Sequence, residues 1–330
     1  VDRTLYVTEQ GAVLSRRGER LVIEREGRTL ADVPASKVSR VFVFGNVSLT
    51  TPAVAYLLRE GKDVAFLSSR GRYYGRLVSG ESKNPALRRA QYRAAEDPDL
   101  CLTLSRGFVL GKLANQRRVL HRRPSAAASR AAAEITRQMA RAERTRSIAA
   151  LRGIEGLSAR AYFGAFGGLL DGMPFTGRKR RPPPDPVNSM LSLVGYSLLT
   201  YEAFSAVAAA GLDPYIGFFH ADAYGRPSLA LDVMEELRPV VVDLLVIGAV
   251  NRGHLAAGDF DLGEEGGRPI ALLADAARKR FLALYERRML TPVTHLSRQM
   301  TYRMALHAQA RQVVDCLTGR REAYEPVLLK

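Results

Sequence analysis

Cysteine is nearly missing from this chain. Cys101 and Cys316 are the only two in 330 residues, far apart and each in an apolar, helical context. Two such thiols cannot build a zinc site, and reduced, buried thiols are expected instead of a disulfide. Long hydrophobic runs are also missing. The longest, Pro239 to Val250, is too short to span a bilayer and carries Asp243, so no membrane association is expected. The segment from Gly107 to Leu113 is a near miss to a phosphate loop. It is one residue short, lacks the Ser or Thr and lies in a helical pattern. No Gly-x-Ser-x-Gly nucleophile elbow occurs. The first seven residues read as a strand and not as a secretory leader, so a cytoplasmic protein is expected.

Acidic residues are scarce relative to basic ones. Thirty-three Asp and Glu face 49 Lys and Arg, a net charge of +16 with a pI near 10.2. Most of the excess is Arg, whose planar fork grips phosphate in a bidentate way. This balance points to nucleic acid as the partner. Two regions concentrate it. Between Arg106 and Arg146 there are 11 Lys or Arg and two acids, with Arg117, Arg118, Arg122 and Arg123 spaced to form one helical stripe. The second is a loop carrying Arg178, Lys179, Arg180 and Arg181, which the following prolines keep extended.

What is present divides in two. Residues 1–78 carry short β-type runs separated by Gly-containing turns, interrupted by one apolar-periodic helix from Thr51 to Gly61. Residues 79–86 read as a linker. From residue 87 onward helical periodicity takes over, at about 87–93, 103–123, 125–150, 155–170, 186–210, 227–250, 270–290 and 294–317. The expected fold is α+β: a small N-terminal β-rich domain followed by a larger, all-α helical bundle domain over 87–330.

The densest chemistry lies between His220 and Arg238. The imidazole of His220, the carboxylates of Asp232, Glu235 and Glu236 and the guanidinium of Arg238 fall within 19 residues. On a helix the three acids share roughly one face. Like charges so close need a cation, and an imidazole with carboxylate oxygens suits Mn²⁺ or Mg²⁺. Pro239 removes the N–H that would bond the Glu235 carbonyl, so a kink is expected beside the acids. Arg238 could neutralise phosphoryl oxygens. A third acid must come from elsewhere, and spacing alone does not choose between Glu155 and Glu143.

Four ordered motifs resemble those of a known family, the CRISPR-associated spacer-acquisition integrase. They run from Gly153 through Glu155 and Arg160 to Phe163, from Arg181 to Ser192 with Tyr196, from Gly211 to His220, and from Arg226 through Asp232 and Glu235 to Pro239. Arg88 to Arg93 is similar to members from type I systems. The resemblance implies that Glu155, His220 and Glu235 are catalytic and bind the metal, with Asp232 adjacent and a further possible ligand. It puts Arg238 near DNA. It also implies a homodimer through the β domains, a small second adaptation subunit as partner, and joining of foreign DNA to the CRISPR repeat. From charge, Arg160, Arg178, Lys179, Arg180, Arg181, Arg117 and Arg118 are the expected DNA contacts. Two other readings compete: a structure-selective nuclease on branched DNA, and a non-catalytic nucleic-acid scaffold.

Overall fold

The computed structural model describes residues 3–69, 71, 73–77, 84–175, 177–179 and 182–329. The chain divides into two compact units, Val1–Glu81 and Ser82–Lys330. The first contains β1 (Arg3–Val7), β2 (Val13–Arg17), β3 (Arg20–Arg25), β4 (Arg28–Pro34), β5 (Val38–Phe44), β6 (Ser48–Leu49), α1 (Thr51–Arg59), β7 (Asp63–Leu67) and β8 (Tyr73–Leu77). They form two four-stranded sheets, in the orders β1-β5-β7-β8 and β4-β3-β2-β6. β5 lies between parallel partners, in register Val41↔Val64 on one side and Leu5↔Val41 on the other. That placement explains its unbroken apolar run, since a central parallel strand is covered on both faces. Val7, Val41, Val43 and Val64 of one sheet pack in a common core with Leu14, Leu21 and Ile23 of the other and with Tyr56 and Leu57 of α1. β4 escapes sequence reading. It is an edge strand, mostly exposed, with too few apolar residues to announce itself. The last strand ends at Leu77; Val78, its expected end, lies outside the described residues.

The second unit is largely helical: α2 (Pro85–Ala95), α3 (Pro98–His121), α4 (Ala126–Arg144), α5 (Ile148–Phe166), α6 (Pro186–Ser189), α7 (Tyr196–Ala209), α8 (Ser228–Met234), α9 (Leu244–Asn251), α10 (Asp275–Met289) and α11 (Tyr302–Leu317). α6 passes into α7 through a π-helical turn at Met190–Gly195, and a second π-helical turn at Arg238–Asp243 leads into α9. Short polar side chains set the helix starts. Asp97, Ser125, Ser147 and Thr301 each accept from a backbone amide in the first turn. Ser147 therefore ends the expected helix 125–150 early and starts α5 ahead of 155. α2 begins at Pro85 with Asn84 as its cap, so the linker expected over 79–86 loses its last two residues.

The unit is not all-α. Two hairpins interrupt it, β9 (Phe260–Glu265) with β10 (Arg268–Leu273), and β11 (Pro292–His295) with β12 (Arg298–Thr301). The first turns on Gly266 and Gly267, both at positive φ, the usual chemistry of a tight hairpin. The second turns on Leu296 and Ser297 at positive φ, with no glycine to signal it. Arg303, fully buried, ties α11 to α7 through Glu202 at 2.8 Å and to α10 through Glu286 at 2.7 Å. The stretch Pro186–Ala209 is long and apolar enough to cross a membrane, but 76% of that window is buried inside the structure, as in a core helix.

Candidate metal centre

Asp232, on α8, is the organising residue. It is wholly buried, and its four acceptor positions are all used. Oδ2 accepts from the Phe218 and Phe219 amides at 2.7 and 3.0 Å; Oδ1 accepts from the His220 amide at 2.9 Å and meets His220 Nδ1 at 2.6 Å. The loop can wrap the carboxylate this closely because residue 217 is glycine. A Cβ there would lie 2.7 Å from Ser228 Cβ and 2.9 Å from Asp232 Oδ2. Arg152 clamps the other side of the loop by donating to the Phe219 carbonyl at 2.6 and 2.9 Å. The Asp232 carboxylate at Nδ1 fixes the ring, so that a neutral imidazole would carry its proton on that nitrogen and offer the Nε2 lone pair. Nε2 lies 3.8 Å from Glu235 Oε1. Asp232 thus orients His220 and has no coordination position left for an ion.

Glu235 is buried just past α8, where Pro239 and the π-helical turn break the regular ladder. Burial alone would raise its pKa, but Arg238 at 3.4 Å, Lys112 at 2.5 Å and His220 overcome that and lower it to about 2. It is therefore a permanent anion in a cationic surround. Lys112, on α3, also meets Glu155 Oε1 of α5 at 2.5 Å. One nearly buried ammonium thus joins the acid of α5 to the acid beyond α8. Burial works against the Lys112 charge, yet Glu235 and Glu155 more than compensate and raise its pKa. Sequence reading missed this lysine. Its signal was a cation within the apolar stretch Gly111, Leu113 and Ala114, where a solvated surface charge makes no sense.

Glu236 does not share the face of Asp232 and Glu235. It points the other way, towards the C-terminal segment. Its Oε1 accepts from Gln309 Nε2 at 2.5 Å, the Val327 amide at 3.1 Å and Tyr324 OH at 3.2 Å. Asn115 of α3 completes the tie. It donates to the Glu236 and Val327 carbonyls, both at 2.8 Å, and accepts from the Leu329 amide at 2.8 Å. Residue 111 must be small for the segment to pass, since a Cβ there would lie 2.4 Å from Pro326 Cβ.

A cavity of about 490 Å³ opens beside these residues, lined by Lys112, Glu155, Arg160, Arg178, Tyr196 and Arg238 among others. Arg178 and Arg238 lie 5.2 and 5.0 Å from the Tyr196 ring. The Tyr196 and Tyr162 hydroxyls both donate to buried Asp243, at 2.5 and 2.9 Å, and burial pushes that carboxyl up to about 6. The remaining expected DNA contacts separate. Lys179 is exposed. Arg180 and Arg181 lie outside the described residues. Arg117 reaches Thr136 Oγ1 at 3.3 Å, and Arg118 donates to the Leu329 carbonyl, so both have partners within the protein. Glu143, the alternative third acid, lies near the end of α4 and is exposed; Glu155 is the one beside Lys112.

The sequence profile of the family described as CRISPR associated protein Cas1 matches residues 5–287, a span that contains Glu155, His220 and Glu235. This chain belongs to the Cas1 family. It is 41% identical over 329 residues to a CRISPR-associated endonuclease Cas1 of Thermus thermophilus, covering 99% of both chains. It is also 41% identical over 335 residues to a Cas4/Cas1 fusion of Geobacter sulfurreducens, covering 97% of this chain and 59% of that longer protein. Among solved structures, a Cas1 protein from Thermotoga maritima superposes with a TM-score of 0.82 at 25% identity over 99% of both chains. A casposase bound to its integration product shares the fold, with a TM-score of 0.84 at 22% identity over 98% of this chain and 92% of that one. The protein is a Cas1 endonuclease of CRISPR antiviral defence, which sets aside the non-catalytic scaffold. Its family is generally metal-dependent.

The donor set suits a hard divalent ion: two carboxylates and one imidazole whose free nitrogen is fixed by its neighbour. Among the described residues, no group of three His, Cys, Asp or Glu closes tightly around one point. Lys112 stands between two of these donors, its ammonium 2.5 Å from an oxygen of Glu155 and of Glu235.

Proposed function

We propose that this chain is a metal-dependent DNA integrase of CRISPR adaptation, with Glu155, His220 and Glu235 holding Mn²⁺ or Mg²⁺. The ion would polarise a phosphoryl oxygen and help to ionise the attacking hydroxyl. The rest is done by side chains. Asp232 keeps the His220 tautomer that offers Nε2. Arg238 and Arg178, held against Tyr196, face a cavity wide enough for a phosphodiester and neutralise its non-bridging oxygens. Lys112 balances the two acids until the ion arrives. In the reaction the 3′ hydroxyl of a short foreign DNA attacks a phosphodiester of the CRISPR repeat. One P–O bond forms, one breaks, and the displaced 3′ oxygen takes a proton. Arg160 on the cavity wall and Lys179 nearby would track the backbone. The β-rich unit would form the homodimer. Its partner would be the small second adaptation subunit, in a type I system.

The observation that carries this reading is the meeting of Glu155 and Glu235 on one ammonium, beside a histidine locked by Asp232. The test supplies a labelled short duplex with a free or a blocked 3′ hydroxyl, a repeat-containing target and Mn²⁺. Joined product is expected with the free hydroxyl alone. Cutting without joining, on branched DNA above all, would instead favour a structure-selective nuclease.

A further inference from the structure

Two side-chain amides sit next to each other on α3 and fare differently. Asn115, wholly buried, donates to the Glu236 and Val327 carbonyls and accepts from the Leu329 amide. Gln116 is buried almost as completely, at 1% exposure. Its Oε1 is sealed from solvent and has no hydrogen-bond partner among the described residues. A buried acceptor without a donor works against folding, so such a group calls for a role that the folded chain alone does not show. Gln116 also lines the cavity beside Glu235, together with Lys112.

Lys112 lies one turn before Gln116 on the same face of the helix, a spacing that puts the two Cβ atoms about 5–6 Å apart. Helical side chains lean towards the N-terminus, which brings the Gln116 amide back over the Lys112 turn. The ammonium carries three N–H donors. It touches Glu155 Oε1 and Glu235 Oε2, each at 2.5 Å. Those are two of the three side chains proposed to hold the divalent ion. An ion bound there repels an ammonium in contact with the same carboxylates. Lys112 is only 7% exposed, so its displaced charge needs another acceptor within the cavity wall. The other polar side chains there are committed or cationic. Asp243 already accepts from Tyr162 and Tyr196, and Arg160, Arg178 and Arg238 have no acceptor to offer. Gln116 Oε1 is the neutral acceptor left over.

We infer that Gln116 is a positioning residue that receives the Lys112 ammonium when a divalent ion takes over Glu155 and Glu235. The inference rests on the metal centre proposed above. The lysine keeps its proton throughout and changes only its partner, from two carboxylates to one amide oxygen. Its charge stays in the cavity wall, where it faces a bound phosphodiester. The exchange favours entry of the ion, because the displaced ammonium keeps a hydrogen bond and the buried Oε1 gains the donor it lacks.

The test titrates Mn²⁺ into the metal-free full chain, without DNA, and follows the free ion by electron paramagnetic resonance. Wild type, Gln116→Met, Lys112→Met and the double variant are compared. Methionine keeps the length of glutamine without its acceptor. Gln116→Met should bind Mn²⁺ about tenfold more weakly, the loss of one charge-assisted hydrogen bond in the metal-bound state. In the Lys112→Met background the same change should alter affinity by less than about twofold, since no ammonium is left to place. The metal-free melting temperature of Gln116→Met should equal or exceed that of wild type, because an unmatched buried amide is removed. Unchanged Mn²⁺ affinity in Gln116→Met overturns this inference and leaves the metal centre standing. An equal loss in the Lys112→Met background also overturns it, since the amide would then act without the ammonium. A metal-free melting temperature several degrees lower makes the amide a structural group and ends the proposal. Wild-type chain that takes up no ion overturns the metal centre and this inference with it.

Discussion

The turn after α8 treats two adjacent glutamates in opposite ways. Glu235 faces Lys112, Arg238 and His220 and is held at a pKa of about 2. Glu236 faces Gln309, Tyr324 and the Val327 amide, and burial pushes it up to about 8. Both are buried, so desolvation acts against the charge of both. The difference is in what surrounds them. Full cations at 2.5 and 3.4 Å offset the cost of burying Glu235, whereas neutral hydrogen-bond donors do not offset it for Glu236. One region is built to hold an anion ready for a cation. The other uses a neutral acid to tie the C-terminal segment to the wall of the site.

The comparison breaks most visibly when each acid is made neutral. Glu235→Gln should lower DNA cleavage by about 10³-fold or more, with the fold intact. Glu236→Gln keeps an uncharged group where one already sits, so cleavage should fall by less than about tenfold. The two variants, assayed side by side with Mn²⁺, would contradict the distinction if they lost activity equally.

Lys112 sharpens it next. Lys112→Met leaves Glu155 and Glu235 facing each other without a counter-charge, which costs about 3 to 5 kcal/mol in a buried pair. The metal-free melting temperature should drop by several degrees, at about 2–4 °C per kcal/mol. Added Mn²⁺ should then raise it by more than in wild type, because the ion no longer competes with an ammonium. An unchanged metal-induced shift would mean that the ammonium and the ion do not share a position.

The two acids also separate in pH. Glu236 binds its proton more tightly folded than unfolded. Its contribution to stability is therefore full below about pH 4.5 and is lost as pH rises through about 8. Glu235 has the opposite sign: its contribution is present above about pH 4.5 and is lost as pH falls through about 2. Melting curves of metal-free protein from pH 5 to 8.5 should show Glu236→Gln gaining on wild type as pH rises. Parallel curves would place Glu236 in a polar, ionised state.

Much of this was legible in the sequence, for identifiable reasons. The β-then-helix order follows from a change of hydrophobic period near residue 87, and His220, Asp232 and Glu235 are close in sequence. The kink at Pro239 follows from its missing amide, although it takes the form of a π-helical turn. The long-range partners were not legible. Lys112 lies in a helix that reads as ordinary core, and nothing local says that its ammonium ends between two acids 43 and 123 residues away. Helical spacing predicts a face shared by Glu236 with Asp232 and Glu235. The helix gives way at residue 235, and the side chain turns to a tail almost 90 residues downstream. Edge strand β4 and the hairpin at Leu296 and Ser297 lack the apolar run or the glycine that would have marked them.

Glu155, His220 and Glu235 are proposed to hold one ion together. Titrating Mn²⁺ into metal-free protein, with the free ion followed by electron paramagnetic resonance, measures this without any reaction. Wild type should take up a tightly held ion, and Glu155→Gln, His220→Ala and Glu235→Gln should each weaken that uptake at least about tenfold while keeping a cooperative melt. Uptake by all three variants indistinguishable from wild type would contradict it.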